Sequence, residues 1–191
     1  MKKKDVGLEY LRQLGIRPAK NRDGVLKQLQ AVWGAETGKS VWNGIGEESD
    51  VQKLYREKNR DLKTSVTISG AYDGELYREA CNWIAAHRSF FGKTILEVGC
   101  DCGILSCFLG QQFPDATIFA IDRTEEAIPV ARQLADRLGV TNIVFQHAAL
   151  EDLEEKTYDT VFSMRTVHEN VAQTEIHPTY QPLLKQAELY S

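Results

Sequence analysis

The chain has 191 residues, of which 42% are hydrophobic and 26% charged, and its net charge is −4. This balance suits one globular domain with a sizeable core, and it gives no general pull towards nucleic acid. No apolar run approaches the ~20 residues that cross a bilayer, and the basic start, Met1 to Lys4, is followed by no apolar signal core, so the expected compartment is the cytoplasm.

From the N-terminus, Val6, Leu8, Leu11 and Leu14 predict a short helix, and Val25, Leu26, Leu29, Val32 and Trp33 predict a longer one with an apolar stripe. Four glycines between Gly34 and Gly46 predict a loop. Within it, Gly34 to Ser40 imitates a phosphate-binding P-loop. That motif needs four residues between its glycines and a preceding strand; Gly34 and Gly38 enclose only Ala35, Glu36 and Thr37, and no strand pattern precedes them. Val51, Leu54 and Tyr55 open a third helix whose charge run, Arg56, Glu57, Lys58 and Arg60, reads as a solvated face. Residues 64–74 read as extended or irregular, punctuated by Gly70 and Gly74. Glu75 to Ser89 reads as a helix carrying Leu76, Tyr77, Ala80, Cys81, Trp83, Ile84 and Ala85. The pattern divides the chain near residue 70, into a helical N-terminal extension or cap (1–70) and an α/β domain (71–191).

From Lys93 the pattern alternates. Thr94 to Val98 is a short apolar run broken at Gly99, which predicts a buried strand entering a tight turn. Ile104, Leu105, Cys107, Phe108 and Leu109 predict a helix, and Ala116 to Ile121 a second strand closing on Asp122. Thr124 is the expected N-cap of a helix through Ala127, Ile128, Ala131, Leu134, Ala135 and Leu138 that stops at Gly139. Asn142 to Gln146 and Tyr158 to Met164 predict two more strands, joined by the acidic stretch from Leu150 to Lys156. Strands alternating with helices predict a doubly wound, mostly parallel sheet with helices on both faces.

Chemistry concentrates at the carboxyl edge of this sheet, where ligands bind in open α/β folds. Gly99 and Gly103 let backbone turn and a ligand approach. Asp122, 23 positions after Gly99, lies at a spacing suited to ribose hydroxyls. Glu97 before the turn would face a cationic or amine-bearing group and would repel a pyrophosphate. A dinucleotide fingerprint is excluded because Gly99-Cys100-Asp101-Cys102-Gly103 does not supply Gly-x-Gly-x-x-Gly. The four cysteines are Cys81, Cys100, Cys102 and Cys107. Their spacing matches no common zinc pattern and no histidine lies near, so no metal is expected and they read as small buried thiols.

The stretch Glu97-Val98-Gly99-Cys100-Asp101-Cys102-Gly103 followed by Asp122 resembles motif I of the class I S-adenosylmethionine-dependent methyltransferases, an acidic residue and then Gly-x-Gly-x-Gly. Asp101 replaces the middle glycine and is expected to crowd the turn. The resemblance covers roughly Phe91 to Asn170. It implies a Rossmann-like sheet, here partial, with four strands in the order 3-2-1-4 behind the helical N-terminal extension. It implies S-adenosylmethionine as cofactor, with Glu97 serving its methionine end and Asp122 its ribose, and an N-terminal cap that selects substrate. The candidate cofactor-binding set is Glu97, Gly99, Cys100, Asp101, Gly103, Asp122, Arg123, Ala149, Leu150 and Ser163. Ala148 stands where the family often carries an acid for the adenine amino group, which leaves the backbone of Ala149 and Leu150, with Glu151 or Asp152, to meet the adenine edge.

Methyl transfer needs in-line placement and exclusion of water more than acid-base help. Where a base is needed, His168 and Glu169 are the catalytic candidates after the fourth strand, histidine being the side chain whose ordinary charge change falls near neutral pH. The methyl acceptor is expected to be a small molecule or a protein. Nucleic acid is disfavoured by the charge and by the lack of an Asn/Asp-Pro-Pro-Tyr signature, no membrane is implied, and a homodimer stays open. Further on, Pro182 is placed to start a helix through Leu183, Leu184, Ala187 and Leu189. The full family fold has seven strands, so the domain is expected to be incomplete at its C-terminus. The alternative reading is a non-catalytic binding or regulatory module on the same fold.

Overall fold

The structure, a computed structural model, describes residues 5–19, 21–44, 55–153, 156–164 and 166. Four parallel strands, β1 (Thr94–Val98), β2 (Thr117–Asp122), β3 (Ile143–His147) and β4 (Thr160–Ser163), form one sheet in the order β3-β2-β1-β4. β1 is central, pairing Glu97 with Ala120 of β2 and with Phe162 of β4. This is the order that the resemblance implied. Of its five residues, only Thr94 is not buried, as expected of a parallel strand flanked on both sides.

Six helices are fully described: α1 (Val6–Gln13), α2 (Arg22–Trp33), α3 (Ala35–Gly44), α4 (Leu62–Ala86), α5 (Ile104–Gln112) and α6 (Ala127–Leu138), with a helical turn at 55–58 before α4. α5 is buried throughout Ile104–Gly110, so it is an interior helix rather than an amphipathic one. Together α4, α5 and α6 pack with Ile95, Ile118, Ala120 and Phe145 of the sheet into the main core, which Tyr10, Leu11, Leu14 and Ile16 join from the N-terminal segment. The alternate strand residues Leu96, Val98 and Ile121 face the other way, into a smaller cluster with Ala148, Phe119, Leu150, Leu153 and Tyr158. Between the strands, Asn142 ties the end of α5 to β2: its Nδ2 donates to the carbonyls of Phe113 at 3.0 Å and Ala116 at 2.9 Å, with Gly110 O at 3.3 Å.

Three sequence expectations are corrected. The glycine-bearing stretch after Gly34 is helix, not loop, over Ala35–Gly44; Gly38 sits against α2, where a Cβ would lie 2.7 Å from Gln30 Cα. Residues 64–74 are helical too, inside α4, whose N-cap Asp61 accepts from Thr64 N at 2.8 Å. Glycine weakens a helix by about 1 kcal/mol relative to alanine, but here the missing side chains admit the N-terminal segment: a Cβ on Gly70 would come within 2.6 Å of Ile16 Cγ2. α4 therefore runs unbroken through residue 70. Lastly, α6 starts at Ala127 with Glu126 at its cap position and no side-chain cap. The Thr124 N–H donates instead to Asp122 Oδ1 at 2.8 Å. The expected stop holds, with Gly139 left-handed at φ 67°. The predicted helix beyond Pro182 lies outside the described residues.

Candidate functional site

At the carboxyl edge of β1 and β2 the chain turns over Gly99 to Gly103 into α5. The turn hangs on β2, because the N–H groups of Gly99 and Cys100 both donate to Ile121 O at 2.9 Å. Gly99 and Gly103 take positive φ, 77° and 79°, where a side chain is strained. Asp101 shares that left-handed region at φ 46°, alone among the described non-glycine residues. Aspartate tolerates this conformation better than most.

The expected crowding by Asp101 does not occur, because its side chain leaves the turn. Lys58 Nζ lies 2.5 Å from its Oδ2, Ser69 Oγ donates to the same oxygen at 2.9 Å, and Asn59 Nδ2 stands 3.5 Å from Oδ1. Burial pushes the Asp101 carboxyl pKa up, yet the Lys58 ammonium and these hydrogen bonds outweigh it and the net shift is downward. Lys58 is itself only 8% exposed, which corrects the solvated-face reading at this residue alone, since Arg56, Glu57 and Arg60 are exposed. The main-chain N–H of Asp101 donates to Asp122 Oδ2 at 2.7 Å.

Asp122 is buried at the end of β2 and accepts from two main-chain N–H groups, those of Asp101 and Thr124. With the Thr124 hydroxyl also on this carboxylate, one of its about four acceptor directions stays available for a ligand hydroxyl. Burial raises its pKa against the lowering pull of those hydrogen bonds. Glu97 is 3% exposed and faces α5, where Ser106 Oγ donates to its Oε2. No lysine or arginine among the described residues pairs with it. Burial first, then the charges of Asp122 and Asp101, push its pKa up to about 8, with the Ser106 hydrogen bond pulling the other way. A buried carboxylate without a cation is costly, and a ligand ammonium in that place would relieve the cost.

The remaining candidates divide. Cys100 is buried with its thiol pKa pushed well up by burial, so it serves as filling. Cys102 is likewise raised, to about 12, and Arg123 is exposed, its carbonyl 3.2 Å from His147 Nε2. Ala148 is buried beside Ile121, and its N–H donates to Asp122 O at 3.0 Å. The N–H of Ala149, expected to meet a ligand, donates to Asp152 Oδ2 at 3.1 Å; Leu150 packs on the small cluster. Ser163 and Thr166 both reach the Val98 carbonyl, at 3.3 Å and 3.0 Å. The room that Gly99 leaves is taken by Thr166, whose methyl and hydroxyl lie where a Cβ would be. His168 and Glu169 lie outside the described residues. Among those residues no cluster fit to hold a metal occurs, and no helix is long and apolar enough to cross a membrane.

Sequence reasoning missed Lys58, Ser69, Ser106 and Thr166. Ser106 carried a signal, as the single hydroxyl in the otherwise apolar run from Ile104 to Leu109. The others acquire meaning only from contacts 32 to 68 positions away.

Residues 90–188, more than half of the chain, match the family described as "Methyltransferase domain". Among curated proteins, the chain is 32% identical over 108 residues to a ubiquinone biosynthesis O-methyltransferase of Acinetobacter baylyi, covering 54% of this chain and 44% of the relative. It is 41% identical over 73 residues to a malonyl-[acyl-carrier protein] O-methyltransferase of Bacillus anthracis, covering 38% and 26%. It is also 29% identical over 72 residues to ribosomal RNA small subunit methyltransferase G of Chlorobaculum tepidum, covering 38% and 33%. The alignments thus span less than half the length of these relatives. Among solved structures, magnesium protoporphyrin IX methyltransferase from Synechocystis with bound SAM matches over 69% of this chain and 58% of that one, at 24% identity and a TM-score of 0.44.

Proposed function

The chain belongs to the methyltransferase-domain family, the class I S-adenosylmethionine-dependent enzymes, and from that premise we propose that it binds S-adenosylmethionine at the edge of β1 and β2 and serves methyl transfer to a small-molecule or protein acceptor. The observation that carries the proposal is the pair of buried carboxylates, Glu97 and Asp122, placed at the ends of adjacent strands. Among the described residues no cation sits beside the first, and the second keeps an acceptor direction for a hydroxyl. A nucleoside with an amino-acid tail offers both complements.

In this reading Glu97 accepts the ammonium of the methionine end, steadied by Ser106, and Asp122 holds the ribose hydroxyls. Ile121, Ala148 and Leu150 offer the adenine an apolar bed, in place of the acid the family often carries there. The cofactor supplies an electrophilic methyl group on a sulfonium. This chain's residues bind it, orient it and keep water from the two acids. Ser163 and Thr166, gathered on the Val98 carbonyl, bring the end of β4 against the turn, and His168 is the candidate base beyond it, with Glu169 second. Residues 1–70 act as the cap and 71–191 as the cofactor domain. The net charge of −4 weighs against a nucleic-acid acceptor, and four free thiols accord with a cytoplasmic place.

Calorimetric titration of S-adenosylhomocysteine tests the proposal, with Asp122→Ala as control. Micromolar binding by the chain, lost in the control, is the expected result. No binding by a chain shown to be folded would overturn the assignment.

A further inference from the structure

Lys58 is the odd member of its charge run. Arg56 and Arg60 have side chains 66% and 51% exposed, whereas that of Lys58 is 10% exposed and points at Asp101. Among the described residues, the side chains on the Asp101 carboxylate, Lys58, Asn59 and Ser69, all come from the segment ahead of β1. Asn59 is held in turn by Ser65, whose hydroxyl donates to its Oδ1 at 2.6 Å. Asp101 itself donates its main-chain N–H to Asp122. Asp101 therefore joins the N-terminal helical segment to the acid at the end of β2, through one residue held at positive φ. A buried ion pair is poor evidence of net stability, because both ions give up water; its better attested use is to fix a position. A left-handed aspartate in a turn that glycine would suit is a position that needs fixing.

We propose that Lys58 is a positioning residue for the cofactor turn: seated on the Asp101 carboxylate, its ammonium aims the Asp101 N–H at Asp122 and makes nucleoside binding depend on the docked N-terminal segment. The inference rests on the S-adenosylmethionine reading of the site. Asp101 fills the place of a glycine that would need no such anchor, so the two residues work as a unit. Replacing Asp101 by glycine removes the reason for Lys58.

Four proteins test this: the unaltered chain, Lys58→Met, Asp101→Gly and the double variant, each titrated with S-adenosylhomocysteine at a temperature where circular dichroism shows it folded. Lys58→Met is expected to weaken binding at least tenfold in the unaltered background and less than twofold in the Asp101→Gly background. An equal loss in both backgrounds, or no loss in the first, overturns the proposal; a role in stability alone would leave the affinity of the folded protein unmoved. If Lys58→Met does not fold, Lys58→Arg takes its place. It keeps the charge but not the compact ammonium, with at least a threefold loss expected in the unaltered background and none beside Asp101→Gly. Hydrogen exchange at the Asp101 amide gives a reading that needs no ligand. Protection is expected to fall at least tenfold in the Lys58 variant, and unchanged protection overturns the proposal. If the unaltered chain binds no S-adenosylhomocysteine while the Asp101 amide behaves as expected, the cofactor assignment fails and the positioning role of Lys58 stands.

Discussion

Asp101 donates its main-chain N–H to Asp122 Oδ2 at 2.7 Å, and the two residues lie 21 positions apart. The glycine turn and the strand-end acid are thus one hydrogen-bonded unit, with the second oxygen of Asp122 taken by the Thr124 N–H at 2.8 Å. Asp122→Asn keeps the shape but can turn only one oxygen towards these donors and carries no charge. S-adenosylhomocysteine affinity is expected to fall about tenfold, or about 1.4 kcal/mol, by calorimetry. Retention of full affinity would remove Asp122 from the site.

Glu97 predicts a pH dependence. Its carboxyl pKa is about 8 in the fold against 4.5 in its absence. The folded chain therefore binds a proton that the unfolded chain releases, and its contribution to stability declines as pH rises from about 4.5 to about 8. Urea midpoints across that window are expected to fall more steeply for the unaltered chain than for Glu97→Gln. Parallel curves would contradict the burial of this carboxyl.

The same carboxyl reports on ligand binding. An ammonium arriving beside Glu97 displaces its proton, so S-adenosylhomocysteine binding at pH 7 is expected to release a proton. Calorimetry in buffers of different ionisation enthalpy measures it. Ser106→Ala removes a hydrogen bond that lowers the Glu97 pKa, so the pH range over which binding releases a proton is expected to move up. Equal heats in all buffers would argue against an amine at Glu97.

Asn142 is a structural counterpart to these acids. Its one amide group serves carbonyls of Phe113 and Ala116 between α5 and β2. Asn142→Ala leaves both without that donor, and a loss of about 1–3 kcal/mol is expected, read as a lowered urea midpoint with an unchanged slope. A change under about 0.5 kcal/mol would mean that water replaces the amide fully.

Gly70 tests the packing of the N-terminal segment on α4. Valine there would drive into Ile16, whose Cγ2 lies 2.6 Å from the Cβ position. Overpacking of this kind costs about 1–3 kcal/mol, and a melting point lowered by several degrees is expected. A stabilised variant would show that the segment is not docked against Gly70.

The sequence by itself determined the sheet, the turn and the two acids. Short apolar runs ending at Gly99 and Asp122, and a helical stripe ending at Gly139, are local signals, because strand burial, positive φ and helix termination depend on neighbours a few residues away. The same local logic misread residues 35–44 and 64–74. Glycines read as punctuation there are contact points at which another segment touches the helix. Tertiary structure alone decided what Asp101 does. From its neighbours it was a misplaced glycine. Its carboxylate finds Lys58 across 43 positions and Ser69 across 32, and no local pattern encodes a pair that exists only once the N-terminal segment has packed against the turn. A buried charge is tolerable only with its partner in place, so both Lys58 and Asp101 take their roles from the fold that brings them together.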